Sequence, residues 1–230
     1  MLLGGCSWAG GDGHDRNPEN RPRYVTQPDA DDHRLRGGAD ARRFSLVNGA
    51  DVVRVRVADL GADRYDVSTP DGSKVVPTVA VDDGEIIAGV RDSGGTGPAV
   101  VNVVLDDNVR WQIRLAGGAS DQAVDLTAGP GGDVDFSAGT ARAAVALPAA
   151  RGTQRVVLAG GAGEFRVRLA GRAPVRVRAG GGAGSVTIDG ERHSGVAGGT
   201  VWAPDDWSSA ADRYDIDATS GFSTLDVSRA

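Results

Sequence analysis

Large apolar residues alternate with polar or small residues along most of this chain, and the alternation returns at a nearly fixed period. Each copy starts at a glycine and has a large apolar residue six positions later, followed in the first four copies by another at eight. The copies begin at Gly97, Gly118, Gly139, Gly161 and Gly182, so successive starts are 21, 21, 22 and 21 residues apart. Self-similarity at a period of roughly 20–50 residues is typical of stacked-repeat architectures.

The spacing of the apolar residues predicts two short β-strands per copy, joined at the glycine. A second apolar pair lies five and three residues before most of the glycines, as Val156 and Leu158 do before Gly161. Successive side chains of a strand point to opposite faces, so the paired apolar residues should face inward. We expect glycine at the corner because it tolerates a positive φ. The residues between the apolar positions should face outward, and they include Arg54, Arg56, Asp125, Arg166 and Arg168.

This pattern extends from Phe44 to Val227 and predicts a single all-β domain. We predict a right-handed β-solenoid of toastrack-like stacked strands, with roughly 21–24 residues per rung and no significant helix. Sequence order would then be spatial order, with an intermediate rung at Val79 and Val81. The segment between Gly182 and Thr219 would form an irregular rung plus a loop. The alternative is an antiparallel β-sandwich, which also has short strands but has no reason to keep constant offsets.

The chain divides into three predicted segments. Residues 1–6 are expected to be a truncated lipoprotein signal ending in a lipobox, Leu3-Gly4-Gly5-Cys6, in which the cysteine is lipidated. A signal peptide needs an apolar stretch of about 7–15 residues, so the true start would lie upstream, or else the match is accidental. Residues 7–36 are rich in Gly, Asp and Pro and are predicted to be a disordered tether. Residues 37–230 would form the β-solenoid domain.

Several stretches of the folded part are familiar beyond their period. They are Trp111-Gln-Ile-Arg-Leu-Ala-Gly-Gly-Ala119, Val124-Asp-Leu126, Val145-Ala-Leu-Pro148, Val157-Leu-Ala-Gly-Gly-Ala162, Ala183-Gly-Ser-Val-Thr-Ile-Asp-Gly190 and Arg213-Tyr-Asp-Ile-Asp217. Over residues 40–230 the chain resembles the toastrack β-solenoid domains of proposed adhesins and of LiaF-type cell-wall-stress membrane proteins. The resemblance implies a non-enzymatic, envelope-associated scaffold, adhesin-like or stress-sensing interaction module, with no catalytic residue to carry over. One departure is that no segment approaches the roughly 20 apolar residues of a membrane span.

Catalytic and cofactor motifs give little further direction. His14 and His33 lie in the predicted tether, and His193 lies beside Ser194 in a Gly-flanked loop, where both are expected to be solvated. The glycine clusters lack the spacing of phosphate-binding loops and of calcium-binding nonapeptides, so we expect no cofactor. The acidic clusters are expected to be turns. They are Asp82-Asp83-Gly84-Glu85, Asp106-Asp107 and Asp205-Asp206. A carbohydrate-binding or carbohydrate-active β-helix protein is the alternative function.

The charge distribution indicates a basic middle of the domain. Residues 142–192 contain nine arginines against three acidic residues, whereas the segments on either side are acidic. Part of this charge should be paired on adjacent rungs, as Arg114 with Asp135 and Arg168 with Asp189. The arginines that are not paired in this way predict an anion-binding face for a cell-wall polymer or lipid headgroups. The predicted residues of this face are Arg155, Arg166, Arg168, Arg176 and Arg178.

The expected partners follow from composition and localisation. A net charge of −6 argues against nucleic acid. Self-association or an envelope protein partner is compatible with long faces and strand edges, and membrane contact would be only through a lipid anchor. The protein would be extracytoplasmic and lipid-anchored if the lipobox is genuine, and cytoplasmic otherwise. Trp202 and Trp207 could stack on a sugar, but more simply would cap the open end of the core.

Overall fold

The computed structural model describes residues 33–38 and 40–230, and there the chain folds entirely into β-strands and connecting turns. Nineteen strands form two mixed sheets. The prediction of an all-β domain without significant helix is confirmed for this part of the chain. Among these residues no helix is long and apolar enough to cross a membrane. The first strand begins at Arg34, within the segment 7–36 that was predicted to be a tether.

The strands of each sheet follow one another in a spatial order that differs from their order in the chain. In spatial order, the ten-stranded sheet contains β1 (Arg34–Gly37), β4 (Tyr65–Ser68), β7 (Val100–Asp106), β3 (Ala50–Ala58), β9 (Ala119–Asp125), β11 (Thr140–Leu147), β13 (Ala162–Leu169), β19 (Phe222–Arg229), β15 (Ala183–Ile188) and β16 (Glu191–Val196). The nine-stranded sheet contains, listed from the opposite end of the stack, β17 (Thr200–Trp202), β14 (Val175–Ala179), β18 (Arg213–Ala218), β12 (Thr153–Leu158), β10 (Gly132–Phe136), β8 (Trp111–Leu115), β2 (Arg43–Leu46), β6 (Glu85–Asp92) and β5 (Val75–Asp82).

Each predicted copy supplies one strand to each sheet, and the central strands pair in parallel. Val145 of β11 is in register with Val124 of β9 and Val167 of β13. The apolar residues of both sheets meet in one core, where the rings of Phe136 and Phe165 lie 5.9 Å apart in an edge-to-face arrangement. The parallel pairing excludes the antiparallel sandwich, because hairpin-linked strands of such a sandwich would pair in opposite directions.

The spatial order of the strand pairs departs from the chain order at two places. The prediction that the two orders are the same is therefore wrong. The pair β2/β3, first in the chain, lies between β6/β7 and β8/β9. The pair β18/β19, last in the chain, lies between β12/β13 and β14/β15. The first and last pairs are therefore both enclosed by parallel neighbours on either side.

Charge gives a physical reason for the placement of β18. The strand carries Asp215 and Asp217 on its outward side, and both are buried between the basic strands β12 and β14. Arg176 lies 2.7 Å from Asp215, whereas Arg155 and Arg178 lie 3.5 and 3.7 Å from Asp217. In chain order, β12 and β14 would be neighbours and would place arginine beside arginine, which is destabilising for directly opposed like charges.

At the corners between the two sheets, glycine alternates with residues that carry a side chain, and the alternation follows the spatial order of the strand pairs. In that order, from β2/β3 onward, the residues preceding the corner glycines are Asn48, Gly117, Ala138, Gly160, Ser220 and Gly181. The glycines of this series, Gly117, Gly160 and Gly181, pack against the backbone of the residue that precedes each of them in the series, which is Asn48, Ala138 and Ser220 respectively. A Cβ on Gly160 would lie 1.9 Å from the carbonyl carbon of Ala138. The expected reason for corner glycine, a positive φ, holds for Gly161 and Gly182 but not for Gly118 or Gly139. At Gly118 and Gly139 a Cβ would lie 3.3 and 3.1 Å from the carbonyl oxygen of the adjacent corner, so close stacking favours glycine there.

Antiparallel strands close both ends of the stack. The predicted intermediate rung at Val79 and Val81 is instead one strand of the β5–β6 hairpin, and the long segment after Gly182 supplies the capping strands β16 and β17. Two of the four outermost strands carry features that discourage edge-to-edge pairing, namely Pro77 on β5 and the positive φ of Gly195 on β16.

Candidate functional site: an arginine-walled groove

A groove of about 860 Å³ crosses the outward face of the ten-stranded sheet. It runs over β3, β9, β11 and β13, with β7 and β19 at its two ends. The inward residues of these strands are packed in the core, so the groove is lined by the alternate, outward residues. Its shape results from a difference in side-chain length along the sheet.

Strand register sets this difference in length. One row across the sheet contains Arg54, Ala123, Ala144 and Arg166, and the next contains Arg56, Asp125, Ala146 and Arg168. Alanines therefore form most of the floor, and two arginines rise at each side. The arginine-bearing strands β3 and β13 are three strand spacings apart, which corresponds to about 14 Å.

The four arginines differ in how their charge is compensated. Arg54 lies 3.3 Å from Asp121, and Arg166 lies 2.5 Å from Glu164 of its own strand. The guanidinium groups of Arg56 and Arg168 are exposed, and neither has an ion pair or a hydrogen bond with any residue that the structure describes.

The acidic residues of the groove lining are fewer than its arginines. They are Asp125 and Asp226. The carboxylate of Asp125 accepts hydrogen bonds from the backbone and hydroxyl of Thr127, at 2.9 and 2.6 Å. Four arginines against two aspartates make the groove lining basic, and one guanidinium on each of its two sides is uncompensated, in that it forms no ion pair with a described residue.

Of the five predicted anion-binding arginines, the structure brings two together in this groove, Arg166 and Arg168. Arg155, Arg176 and Arg178 lie on the nine-stranded sheet, whose outward face is on the other side of the core, and there they contact the aspartates of β18. The hydrogen bonds that Arg176 donates to Asp215 raise the pKa of the arginine above its ordinary value. Arg176 also stacks on Trp207, with its guanidinium 3.8 Å from the ring centre.

One of the two predicted charge pairs between adjacent strands is present. Arg114 and Asp135 are in register on β8 and β10, with a separation of 4.0 Å. Arg168 does not pair with Asp189, because β19 is inserted between β13 and the strand that precedes Asp189. Arg229 at the end of β19 contacts Asp189 instead, at 3.3 Å.

The contribution of Arg54 and Arg56 to this site was missed by sequence reasoning. The signal was present in the offsets, since these residues follow Gly49 by five and seven positions, as Arg166 and Arg168 follow Gly161. Chain order placed them several rungs away from β13. The insertion of β2/β3 directly beside β8/β9 moves them to the opposite wall of the same groove.

The other predicted sites are placed as follows. The acidic stretch from Asp82 to Glu85 forms the tight β5–β6 turn, with a positive φ at both central residues. Within the described residues, no group of three or more His, Cys, Asp and Glu side chains is arranged to hold a metal ion. Cys6, the predicted lipidation residue, lies outside the described residues, as does His14.

Comparison with known proteins supports the fold rather than a specific activity. Neither a family model nor a curated protein matches the chain. A crystal structure of a "putative cell adhesion protein" from Clostridium sporogenes matches with a TM-score of 0.57 and 16% identity, over 84% of this chain and 94% of that one. A "putative adhesin" from Bacteroides fragilis is matched over 84% of this chain and 96% of that one at 10% identity, but its TM-score of 0.25 supports no conclusion. The chain therefore has an adhesin-like all-β fold.

Proposed function

We propose that this protein is a non-enzymatic, adhesin-like module that binds a linear polyanion of the cell surface in the arginine-walled groove. The observation that carries the proposal is the position of Arg56 and Arg168. They lie on opposite sides of an alanine floor, and each has an uncompensated guanidinium group. Three of the four floor residues, Ala123, Ala144 and Ala146, are alanines whose side chains offer a surface for contact.

The separation of the two walls favours a polymer over a small anion. Arginine side chains that stand perpendicular to the sheet keep their guanidinium groups about as far apart as their strands, about 14 Å, which is more than a single phosphate or carboxylate spans. A chain with repeated anionic groups can contact both walls while its backbone lies over the alanines. Arginine suits such a ligand, because its planar guanidinium donates paired hydrogen bonds to phosphate and carboxylate oxygens. The groove is basic although the whole chain has a net charge of −6, so the groove is a local attractor for anions.

Removing the two uncompensated arginines should weaken polyanion binding. We expect the double variant Arg56→Ala/Arg168→Ala to bind linear polyphosphate about tenfold or more weakly than the original protein, since each lost contact is a charge-assisted hydrogen bond. Isothermal titration calorimetry at low and moderate salt concentration measures this loss. Titration with phosphatidylglycerol vesicles as a second probe distinguishes a lipid surface from a soluble polymer.

A charge-matched control separates the groove from general electrostatics. Arg42→Ala/Arg151→Ala removes the same charge from exposed positions outside the groove and should leave the affinity within about twofold, apart from weak screened effects. An equal loss of affinity in both double variants would contradict a specific groove site. Absence of saturable binding by the original protein would contradict the proposed function.

The finer architecture and cellular role form part of the same proposal. We infer that the stacked strand pairs form a right-handed β-solenoid of the toastrack type, and that the module acts as an interaction scaffold or stress-sensing partner at the envelope. The parallel central pairing supports the architecture. A protein partner or a second copy would approach through a face, because the outer strands are short, charged or interrupted by Pro77.

Localisation follows from the lipobox. We propose that the protein is extracytoplasmic and attached to the membrane by a lipid on Cys6. In the native host, Cys6→Ser should therefore shift the protein from the membrane fraction to the soluble fraction, as measured by fractionation and immunoblotting. Cys6 is the only cysteine in the chain, so no other thiol can substitute for it. An unchanged distribution between the two fractions would contradict the lipid anchor.

A further inference from the structure

A second pocket, of about 680 Å³, lies at the end of the stack that β16 and β17 close. It is separate from the arginine-walled groove, with which it shares no lining residue. Its walls come from the last strand of each sheet, from the connection between β13 and β14, and from the turn that follows β17. We refer to it as the end pocket.

The end pocket has an aromatic side formed by one residue from each sheet. His193, which lies on β16 rather than in the expected loop, is opposite Val186, and Trp202 on β17 is opposite Val177. Because both valines are fully buried in the core, His193 and Trp202 are on the core-facing side of their strands. Their rings are 5.1 Å apart with an interplanar angle of 31°. Both rings are only partly buried, so part of this aromatic surface faces the pocket.

Further apolar residues line the pocket. Val201 is one of only two large hydrophobic residues that the described chain exposes, with 48% of its surface accessible. Pro174, Ala203 and Pro204 also line the pocket. The capping function expected for Trp202 is consistent with its packing against the core. Capping alone does not account for the additional apolar residues around an open pocket.

The charged and titratable side chains of the end pocket divide into those near an oppositely charged or titratable partner and those without one. Arg229 contacts Asp189 at 3.3 Å, and His193 lies 3.6 Å from Glu191. The guanidinium of Arg172 and the carboxylate of Asp206 have no hydrogen bond or ion pair with any described residue. Arg172 can therefore donate hydrogen bonds to a ligand, and Asp206 can accept them.

We propose that the end pocket binds a neutral saccharide. The C–H faces of a sugar ring would pack on Trp202 and the adjoining apolar residues, as amphipathic ligands pack on aromatic rings. Sugar hydroxyl groups both donate and accept, so they can satisfy Arg172 and Asp206 at the same time. The lining combines seven apolar residues with six charged or titratable ones, and a concave site of this mixed character suits an amphipathic ligand such as a sugar. The remaining charges are paired within the protein, which favours an uncharged ligand over the polyanion of the groove.

The inference is tested by titrating the protein with chitotriose, cellotriose and mannotriose, which are neutral trisaccharides of different stereochemistry. At least one of them should bind with a dissociation constant below about 1 mM. Calorimetry and tryptophan fluorescence measure this binding. The variant Arg172→Ala/Asp206→Ala should lose about tenfold or more of that affinity. Its melting temperature should be unchanged, since neither side chain has a partner among the described residues.

Two controls make the outcome specific. Arg151→Ala/Asp205→Ala removes an exposed arginine and an exposed aspartate outside the pocket lining and should leave the affinity unchanged. The groove variant Arg56→Ala/Arg168→Ala should also bind the saccharide normally, so failure of this inference and failure of the proposed function can be told apart. Absence of saturable binding by all three saccharides, or an equal loss in the control variant, would overturn the inference.

Discussion

A chain truncated after Asp212 should lose its cooperative fold rather than only its last two strands. The truncation removes β18 and β19, which lie between β12/β13 and β14/β15 in the two sheets. Without them, β14/β15 and the capping strands have no parallel neighbour, and the core residues of β12 and β13 are exposed to water on one side. If the last strand pair were instead at the end of the stack, its removal would leave a shorter but intact domain.

Thermal unfolding followed by circular dichroism distinguishes these outcomes. We expect no single sharp transition for the truncated chain, and increased binding of a hydrophobic dye. Retention of one cooperative transition within about 5 °C of the original would contradict the enclosed position of β18/β19, since 1 kcal/mol corresponds to roughly 2–4 °C for a domain of this size.

A point substitution gives a graded form of the same test. Ile216 of β18 is fully buried, so Ile216→Ala should lower the free energy of unfolding by about 2–5 kcal/mol. Val47, with 49% of its surface exposed, provides the control: Val47→Ala should change stability by no more than about 0.5 kcal/mol. Chemical denaturation measures both differences.

The strands and their inward residues could be predicted from the sequence, but the order of the strand pairs could not be predicted from the repeat alone. Each pair carries the same apolar offsets, and backbone hydrogen bonds are the same whichever pair is the neighbour. The information that selects the order lies in the outward residues. Asp215 and Asp217 fit between the arginines of β12 and β14, and chain order would have placed those arginines together.

The candidate groove was predictable in part. Arg166 and Arg168 were placed correctly as outward residues of one strand, but Arg155, Arg176 and Arg178 were grouped with them by charge alone. The consecutive strands β12, β13 and β14 alternate between the two sheets, so neighbouring basic segments of the chain face opposite directions. The end pocket was less accessible to prediction, because β16 and β17 follow none of the repeat offsets and pair antiparallel with their neighbours.

The substitution Gly160→Ala should be among the most damaging single-methyl changes in this protein. A Cβ at this position would lie 1.9 Å from the carbonyl carbon and 2.2 Å from the carbonyl oxygen of Ala138, in the adjacent corner. Both atoms belong to the backbone, so relief requires neighbouring strand pairs to separate, which weakens the hydrogen bonds and the core packing between them. Gly160 does not have a positive φ, so the penalty comes from the close approach and not from an unfavourable conformation of alanine.

We expect Gly160→Ala to cost about 3 kcal/mol or more, as overpacking against a rigid neighbour does. This corresponds to a fall of roughly 6–12 °C in melting temperature. The matched control is Gly221→Ala in the next corner, which also lacks a positive φ but would place its Cβ no closer than 3.5 Å to another atom. That variant should unfold within about 2 °C of the original, or slightly above it, because alanine restricts the unfolded chain. Similar losses in the two variants would show that corner glycines are required for backbone conformation, and would contradict the steric alternation along the stack.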